Sequence, residues 1–270
     1  MASAVHAVAP YRAILASRLR AQAAYRGSFA ADLFGSLMVA ATEFAELWAL
    51  FHNIDSLGGL DWHAMLMVFG IGEFAFSVAD LLVGHLDTIP TYIRAGTLEA
   101  FYLRPLSLLG QLITSEIGLR RLTRMGVAVA AATYGFVAND IDWGPGVVAM
   151  LVLSLVMGVA LFCGVFVWAA GAQFFLVNGS EFTNAITYGG SYASKQPSSI
   201  FPNPLRVFFT FVVPVAFVAY LPTLWILGLP GPEFLPSWLA WFSPVAVAVA
   251  WCVAWLLWRV GTRHYQGGGG

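Results

Sequence analysis

The sequence is short of charge. Only 10% of its 270 residues are Asp, Glu, Lys or Arg, whereas 59% are hydrophobic. A soluble domain carries about 25% charged residues. A soluble fold of this composition would leave a large apolar surface in water, so lipid is the more suitable solvent. The net charge of −1 gives no reason to expect a nucleic-acid partner.

Residue patterns that carry chemistry are also scarce. The sequence has neither a G-x-x-x-x-G-K-[ST] phosphate loop nor an H-E-x-x-H zinc motif. Its five histidines are scattered, without the spacing of metal ligands. Cys163 and Cys252 both lie in apolar segments, where thiols behave as small hydrophobes. We therefore expect no catalytic site, no metal and no cofactor in this chain.

Long apolar runs are what the sequence has in abundance. A helix needs about 20 mostly apolar residues to cross a bilayer. Residues 1–26 carry arginines and no long apolar core, so they do not resemble a cleavable signal peptide. The pattern predicts an all-α, polytopic membrane protein with six transmembrane helices. The six stretches are 30–51, 62–83, 112–137, 145–175, 207–228 and 238–260.

Basic residues are confined to alternate connections between these stretches. The connections 52–61, 138–144 and 229–237 have no lysine or arginine and carry Asp or Glu instead. Because lysine and arginine resist translocation, the basic connections are predicted to be cytoplasmic, and both termini with them. The 13 basic residues are Arg12, Arg18, Arg20, Arg26, Arg94, Arg104, Arg120, Arg121, Arg124, Lys195, Arg206, Arg259 and Arg263.

The domain organisation follows from this topology. Residues 1–29 are predicted to form a cytoplasmic amphipathic helix against membrane lipid, because arginines are interspersed with apolar side chains. Residues 30–260 form the six-helix transmembrane domain, and residues 261–270 form a flexible tail. The protein is predicted to be a multi-pass protein of the cytoplasmic (inner) membrane.

Two of the predicted cytoplasmic connections are long. In the segment 85–111, Asp87 to Pro90 has the pattern of a helix start, and Gly96 can interrupt the helix that follows. A partly apolar helix that faces the cytoplasm needs a protein groove or the membrane surface to cover it. The connection 178–205 is rich in Gly, Ser, Asn and Pro and is predicted to be a structured loop rather than a long helix.

Acidic residues inside the predicted spans are the unusual feature. Glu43 and Glu46 lie three apart on the first span, and Glu73 and Asp80 lie on the second. A charge at mid-bilayer costs ~2.5–3.5 kcal/mol on insertion scales, and such residues usually face the protein interior or a cavity. Two interpretations stay open. Glu43, Glu73 and Asp80 line a translocation path, or they are protonated or hydrogen-bonded carboxyls that hold helices together.

Two segments carry a resemblance to a known family. The first, with Ile93-Arg94-Ala95-Gly96-Thr97-Leu98-Glu99 followed by Leu103-Arg104-Pro105, resembles the I-R-x-G-x-L … L-R-P signature of one branch of type-2 ABC exporter permeases. The second is similar to the same branch and contains Thr187-Tyr188-Gly189-Gly190, Pro197, Ile200-Phe201-Pro202, Phe209-Thr210-Phe211, Pro214, Ala216-Phe217, Tyr220 and Pro222. The order and spacing agree over essentially the whole chain. Thr97 departs from the pattern, because an acid is expected there.

The resemblance implies a six-helix permease subunit of an ATP-driven exporter. Such a subunit pairs with a second permease, identical or homologous, and with two copies of a separate ATPase that binds ATP and Mg. In this family the segment between spans two and three is a coupling helix that docks into the ATPase, and it corresponds here to residues 87–104. The resemblance implies these ATPase-facing residues: Tyr92, Ile93, Arg94, Leu98, Glu99 and Arg104.

Two other functions fit the residue patterns. One is a membrane subunit that couples to an ATPase without moving a substrate. The other is an ion-coupled secondary transporter in which Glu43, Glu73 and Asp80 are the coupling acids. The two halves of the sequence share no visible motif, which disfavours a transporter built from inverted repeats. The residue patterns do not identify a substrate.

Overall fold

The structure, a computed structural model, describes residues 11, 17, 26–116, 118–119, 121–176 and 180–265. Within these ranges the chain consists of helices and their connections and contains no β-strand. This confirms the prediction of an all-α protein. Most of the amphipathic helix predicted for residues 1–29, and residues 266–270 of the predicted tail, lie outside the described residues.

The α-helices are numbered here in chain order. They are α1 (Arg26–Phe51), α2 (Trp62–Val83), α3 (Ile89–Arg94), α4 (Glu99–Tyr102), α5 (Leu108–Ser115), α6 (Arg121–Ala138), α7 (Pro145–Ala172), α8 (Ser180–Ser194), α9 (Asn203–Val207), α10 (Tyr220–Ile226) and α11 (Ser243–His264).

The central helix of the bundle is α2. In its most apolar stretch 78% of the residues are buried, against 11% in α1. We call the end of α2 that continues into residues 84–106 the inner end of the bundle, and the end beside residues 52–61 the outer end. Asp61 caps the start of α2 by accepting a hydrogen bond from the backbone N–H of Ala64 at 2.9 Å, which fixes where the helix begins.

Small residues let α6 lie close against α2. A Cβ atom added to Gly70 would lie 2.5 Å from the backbone nitrogen of Ala132, and one added to Gly135 would lie 2.8 Å from that of Met67. Because residue 70 faces 132 and residue 67 faces 135, the two helices are antiparallel. Such close approach is typical of helix interfaces in membranes, where small residues bring backbones together.

Helices α7 and α11 run in the same direction. Gly171 near the end of α7 leaves room for the backbone of Trp258, and the Trp251 indole N–H donates to the Ala160 carbonyl at 2.9 Å. Since residue 160 faces 251 and residue 171 faces 258, α11 is parallel to α7. Both helices therefore begin at the outer end and finish at the inner end.

Among the residues that the structure describes, four helical segments are long and apolar enough to cross a membrane, namely Leu33–Phe51, Trp62–Arg94, Pro145–Ala172 and Ser237–His264. The pair Asn203–Val212 and Val215–Ile226, which is bent by 67°, would count as a fifth crossing only if it were one span. The predicted stretches 30–51, 62–83, 145–175 and 238–260 therefore coincide with helices of suitable length and hydropathy.

The predicted stretch 112–137 is divided between two helices. Its first residues belong to α5, which ends at Ser115, and the last belong to α6, which begins at Arg121. Arg121 and Arg124 lie in the first turn of α6 and lower its mean hydropathy. They are accommodated because both side chains form ion pairs inside the bundle.

The prediction of a structured loop rather than a long helix at 178–205 is wrong for Ser180–Ser194. Residues Ser180–Ser194 form α8, and the segment follows α2 towards the outer end. Tyr188 donates to the Asp87 carboxylate at 3.0 Å near the inner end, whereas the Ser199 hydroxyl donates to the Gly58 carbonyl at 3.4 Å at the outer end. The small polar residues that indicated a loop instead allow close packing, since Ser194 lies against Gly72 of α2.

Consequently Arg206 is not on the side that the charge pattern predicted. Its guanidinium lies 4.6 Å from the ring centroid of Phe234, in the outer connection before α11.

The predicted fifth span 207–228 is not a straight helix either. Phe208–Val212 is a π-helical turn, after which the chain breaks at Val213–Pro214 and returns to Trp225, which packs on Trp241 at the outer end. Both ends of this bent pair therefore lie at the outer end.

Candidate functional site

Glu73 lies in the middle of α2 on a face that carries both rings and polar groups. Phe69, Glu73 and Phe76 follow one another at helical spacing, and Ser77 donates to the Glu73 carboxylate at 2.9 Å. Glu73 is fully buried. A carboxylate in that position requires cationic partners, because an unpaired buried charge is strongly disfavoured.

The cationic partners of Glu73 come from α6 and from the residue that follows α8. Lys195, directly after α8, places its Nζ 2.9 Å from Glu73 Oε2, and the Nε of Arg124 in α6 lies 2.7 Å from Glu73 Oε1. Glu43 of α1 completes the group, at 2.7 Å from Lys195 and 3.3 Å from Arg124. We call Glu43, Glu73, Arg124 and Lys195 the charge cluster. It joins α1, α2, α6 and the end of α8.

The charge cluster is electrically balanced and shielded. It contains two carboxylates and two cations, so its formal charge is zero. Arg124 lies 5.7 Å from the centroid of the Phe76 ring, and Lys195 lies 5.9 Å from that of Phe69, so aromatic rings cover the cations. Removing one member of a buried group of this kind costs about 3–5 kcal/mol, because it leaves an uncompensated charge.

A second buried ion pair lies nearer the inner end. Arg121 of α6 pairs with Asp80 of α2, and both side chains are largely buried. The pair lines a cavity of about 340 Å³, together with groups that include Asp87, Glu116 and Tyr188. Of the charge cluster, Arg124 lines this cavity as well, so the cavity and the cluster adjoin.

The three acids singled out from the sequence thus occupy two neighbouring sites. Glu43 and Glu73 share the same cations, and Asp80 has its own partner in Arg121. The structure contains contacts by which these acids join helices to one another. This is one of the two interpretations that the sequence leaves open. Whether the same acids also line a translocation path stays a prediction.

Sequence reasoning did not assign Arg124 and Lys195 to the site. It treated both as markers of cytoplasmic connections, since a basic residue near the end of an apolar stretch normally indicates topology. One signal could have identified them. Glu43 and Glu73 are acids inside apolar helices and require cations at the same depth, and few basic residues of the chain are close enough to apolar segments to supply them.

The inner end of the bundle carries the segment predicted to couple to an ATPase. Helix α3 begins with Pro90 in its first turn, as predicted, and Gly96 with φ of 64° separates it from α4. Ile89 and Leu98 are buried in the core, and the Gln111 amide donates to the carbonyls of Phe101 and Leu106 at 2.9 and 3.0 Å. The segment is therefore a pair of short helices fastened to the bundle.

The predicted ATPase-facing residues differ in exposure. Arg94, Glu99 and Arg104 are exposed, whereas Tyr92 and Ile93 are half-buried. Leu98 is fully buried, which corrects its assignment as a residue that faces a partner. Its side chain belongs to the core because the turn after Gly96 directs it inwards.

The most exposed apolar side chain in this segment is Leu103, which follows α4 directly and is 87% exposed. The sequence pattern did not single it out. Beside it, the rings of Tyr102 and Tyr265 stack at 6.2 Å. Burial raises the pKa of the Tyr102 hydroxyl, with Tyr265 adding to the effect, so this hydroxyl stays neutral at physiological pH.

The described residues contain no group of three His, Cys, Asp or Glu side chains that could hold a metal ion. The chain matches the family model described as ABC-2 family transporter protein over residues 37–269. Comparison with curated proteins and with solved structures finds no match to either. Since the family model covers most of the chain, including all of the charge cluster and the inner segment, the chain belongs to the ABC-2 family and is a type-2 ABC transporter permease.

Proposed function

We propose that this permease exports a substrate across the cytoplasmic membrane, driven by a separate ATPase that binds ATP and Mg. It works with a second permease, identical or homologous. The observation that carries the proposal is the segment 89–104, which combines buried anchors with exposed Arg94, Leu103 and Arg104. A surface of this kind, fixed to the bundle on one side and open on the other, suits a docking partner.

The topology that we propose has six crossings and both termini in the cytoplasm. The directions of the helices support it, since α2, α7 and α11 run from the outer to the inner end. Helices α1, α6 and α8 run the opposite way. In this assignment α8 with its extension to Ser199 is the fifth crossing, and 203–226 is a re-entrant pair on the outside.

The mechanism that we propose links the inner segment to the charge cluster. Trp62–Arg94 is a helical segment of 33 residues in which the 3₁₀ turn Gly84–Thr88 joins α2, with Glu73, to α3. A displacement of α3 by the ATPase is therefore carried along α2 to the cluster. Rearrangement of α1 and α8 around α2 would then change which end of the space between these helices is open.

Co-purification with a candidate ABC ATPase from the same organism tests the proposal. Arg94→Glu should lower recovery of the complex and its ATPase activity, because it reverses an exposed charge in the docking segment. Arg263→Glu is the matched control, since Arg263 is exposed at the end of α11 outside that segment. Equal assembly and equal ATP turnover for both variants would contradict the docking assignment.

Transport by the reconstituted complex separates the proposal from its alternatives. A subunit that couples to an ATPase without export would hydrolyse ATP but move nothing. An ion-coupled secondary transporter would depend on an ion gradient rather than on ATP. The pairing of Glu43, Glu73 and Asp80 with cations disfavours the second alternative, because these carboxylates already have their counterions.

A further inference from the structure

The two cations of the charge cluster each form ion pairs with carboxylates from two different helices. Glu73 reaches them from α2, which is the buried centre of the bundle. Glu43 reaches them from α1, at 2.7 Å from Lys195 and 3.3 Å from Arg124. With Glu43 in place the cluster is neutral. If Glu43 is withdrawn, the remaining three groups carry a formal charge of +1.

Helix α1 is the member of the cluster that is least firmly packed. Only 11% of its apolar stretch is buried, and the Glu43 side chain is 25% exposed, whereas Glu73 is not exposed at all. An apolar gap of about 440 Å³, lined by Phe44, Leu66 and Val127 among others, lies between α1, α2 and α6. Glu43 is therefore the carboxylate that can leave at the lowest cost.

We propose that Arg124 and Lys195 form an anion-binding site, which Glu43 occupies in this structure. A carboxylate or phosphate group of the transported substrate takes the place of Glu43 when α1 moves away. The inference rests on the proposed function, because it assigns the class of substrate to the path between α1, α2 and α8. It also gives Glu43 a role as a competitor that closes the site when no substrate is present.

The depth of the site distinguishes a transported anion from a lipid at rest. Glu73 is eleven residues from the start of α2, which is roughly 16 Å at 1.5 Å per residue. A lipid phosphate at the surface does not reach this depth. Lys195 is 4% exposed and Arg124 is 15% exposed, with the rings of Phe69 and Phe76 beside them, and hydrogen bonds between ionised partners are strong in such surroundings.

Chemical rescue of the purified, full-length permease tests the proposal. Glu43→Ala removes the carboxylate and leaves a space for a small anion beside the two cations. Its unfolding temperature Tm should be lower than that of the wild type and should rise in a saturable manner as acetate or inorganic phosphate is added. Wild-type protein should respond little, because Glu43 already fills the site.

Two variants make the test specific. Glu46→Ala is the matched control on the same helix, since Glu46 is bonded to the neutral Tyr192 hydroxyl at 2.7 Å and its removal leaves no unpaired cation. The double variant Glu43→Ala with Lys195→Met restores charge balance and should lose the response. An equal response of all variants, or none in Glu43→Ala, would overturn the proposal.

If Glu43→Ala does not fold, Glu43→Ser, which also leaves space beside the two cations, is titrated with chloride in the same assay. A stabilisation of Glu43→Ser beyond that of wild type supports the site, and its absence overturns it. A parallel titration in nanodiscs uses phosphatidylglycerol. Rescue by that lipid alone, without rescue by acetate or phosphate, would overturn the assignment to a transported anion. These assays need no ATPase, so their result is independent of whether the proposed export function holds.

Discussion

At the scale of single residues, Lys195 and Arg124 each contact two carboxylates and one aromatic ring. Removing four charges from water is expensive, and their mutual attraction offsets this only when all of them are present with good geometry. The cluster therefore acts as a unit. The effect of replacing one member depends on which others remain.

A double-mutant cycle on Glu73 and Lys195 measures this dependence. Glu73→Gln should destabilise the permease by about 3–5 kcal/mol, because it leaves the two cations with Glu43 alone. Adding Lys195→Met restores the balance of charge, and the double variant should be more stable than the sum of the single effects predicts, by roughly 0.5–3 kcal/mol. The measurement is reversible unfolding of each variant in detergent. Additive effects would show that the two side chains act independently.

The sequence predicts half of this cluster. Glu43 and Glu73 stand out because acids in apolar helices are rare. Arg124 and Lys195 do not stand out, because a basic residue close to the end of an apolar stretch is the ordinary sign of a cytoplasmic connection. Pairing across helices depends on the packing of α1, α2, α6 and α8, which a single sequence read in order does not specify.

At the scale of elements, α8 shows why composition alone misidentified a helix. Its residues include Ser, Thr, Asn and two successive glycines, Gly189 and Gly190, which are typical of loops in water. In the bundle such residues allow backbones to approach each other. The side chains of Thr183 and Ser194 also bond to backbone carbonyls of their own helix, at 3.1 and 2.7 Å, which satisfies their polar groups.

The close packing of α2 and α6 leads to a prediction for Gly70. Gly70→Ala should destabilise the permease by about 1–3 kcal/mol, because the added methyl group would overlap backbone atoms of Ala132 that cannot rotate away. Gly126→Ala in α6 is the control, since a Cβ there meets no atom within 4 Å. Thermal unfolding of both variants provides the comparison. A neutral Gly70→Ala would mean that the two helices are further apart than the structure has them.

At the scale of the whole molecule, hydropathy predicts the long apolar helices, whether they are exposed like α1 or buried like α2, and fails where the apolar chain bends. The stretches at α1, α2, α7 and α11 were found from their apolar residues. The bent pair 203–226 is equally apolar, so it was predicted to be a straight span. Its two ends lie at the same end of the bundle, because Arg206 and Trp225 both pack against residues of the outer connection or its neighbours.

Accessibility of single cysteines distinguishes this arrangement from the one that the charge pattern predicts. In a background without Cys163 and Cys252, Asn203→Cys and Ser56→Cys should react with a membrane-impermeant maleimide from the same side. Thr97→Cys should react only from the opposite side. All three positions are exposed in the structure. If Asn203→Cys reacted together with Thr97→Cys instead, the placement of α8 and of the bent pair would be wrong.

The break between the two halves of 203–226 has a mechanical consequence. Pro214 has no backbone N–H, and the neighbouring amides of Val213 and Val215 bond to Phe208 and Val213, within the same short stretch. Flexing at Pro214 therefore costs no hydrogen bond to another helix. A change in the angle between Asn203–Val212 and Val215–Ile226 is therefore opposed by the packing of the buried Val213 and Val215 side chains and not by backbone hydrogen bonds to other helices.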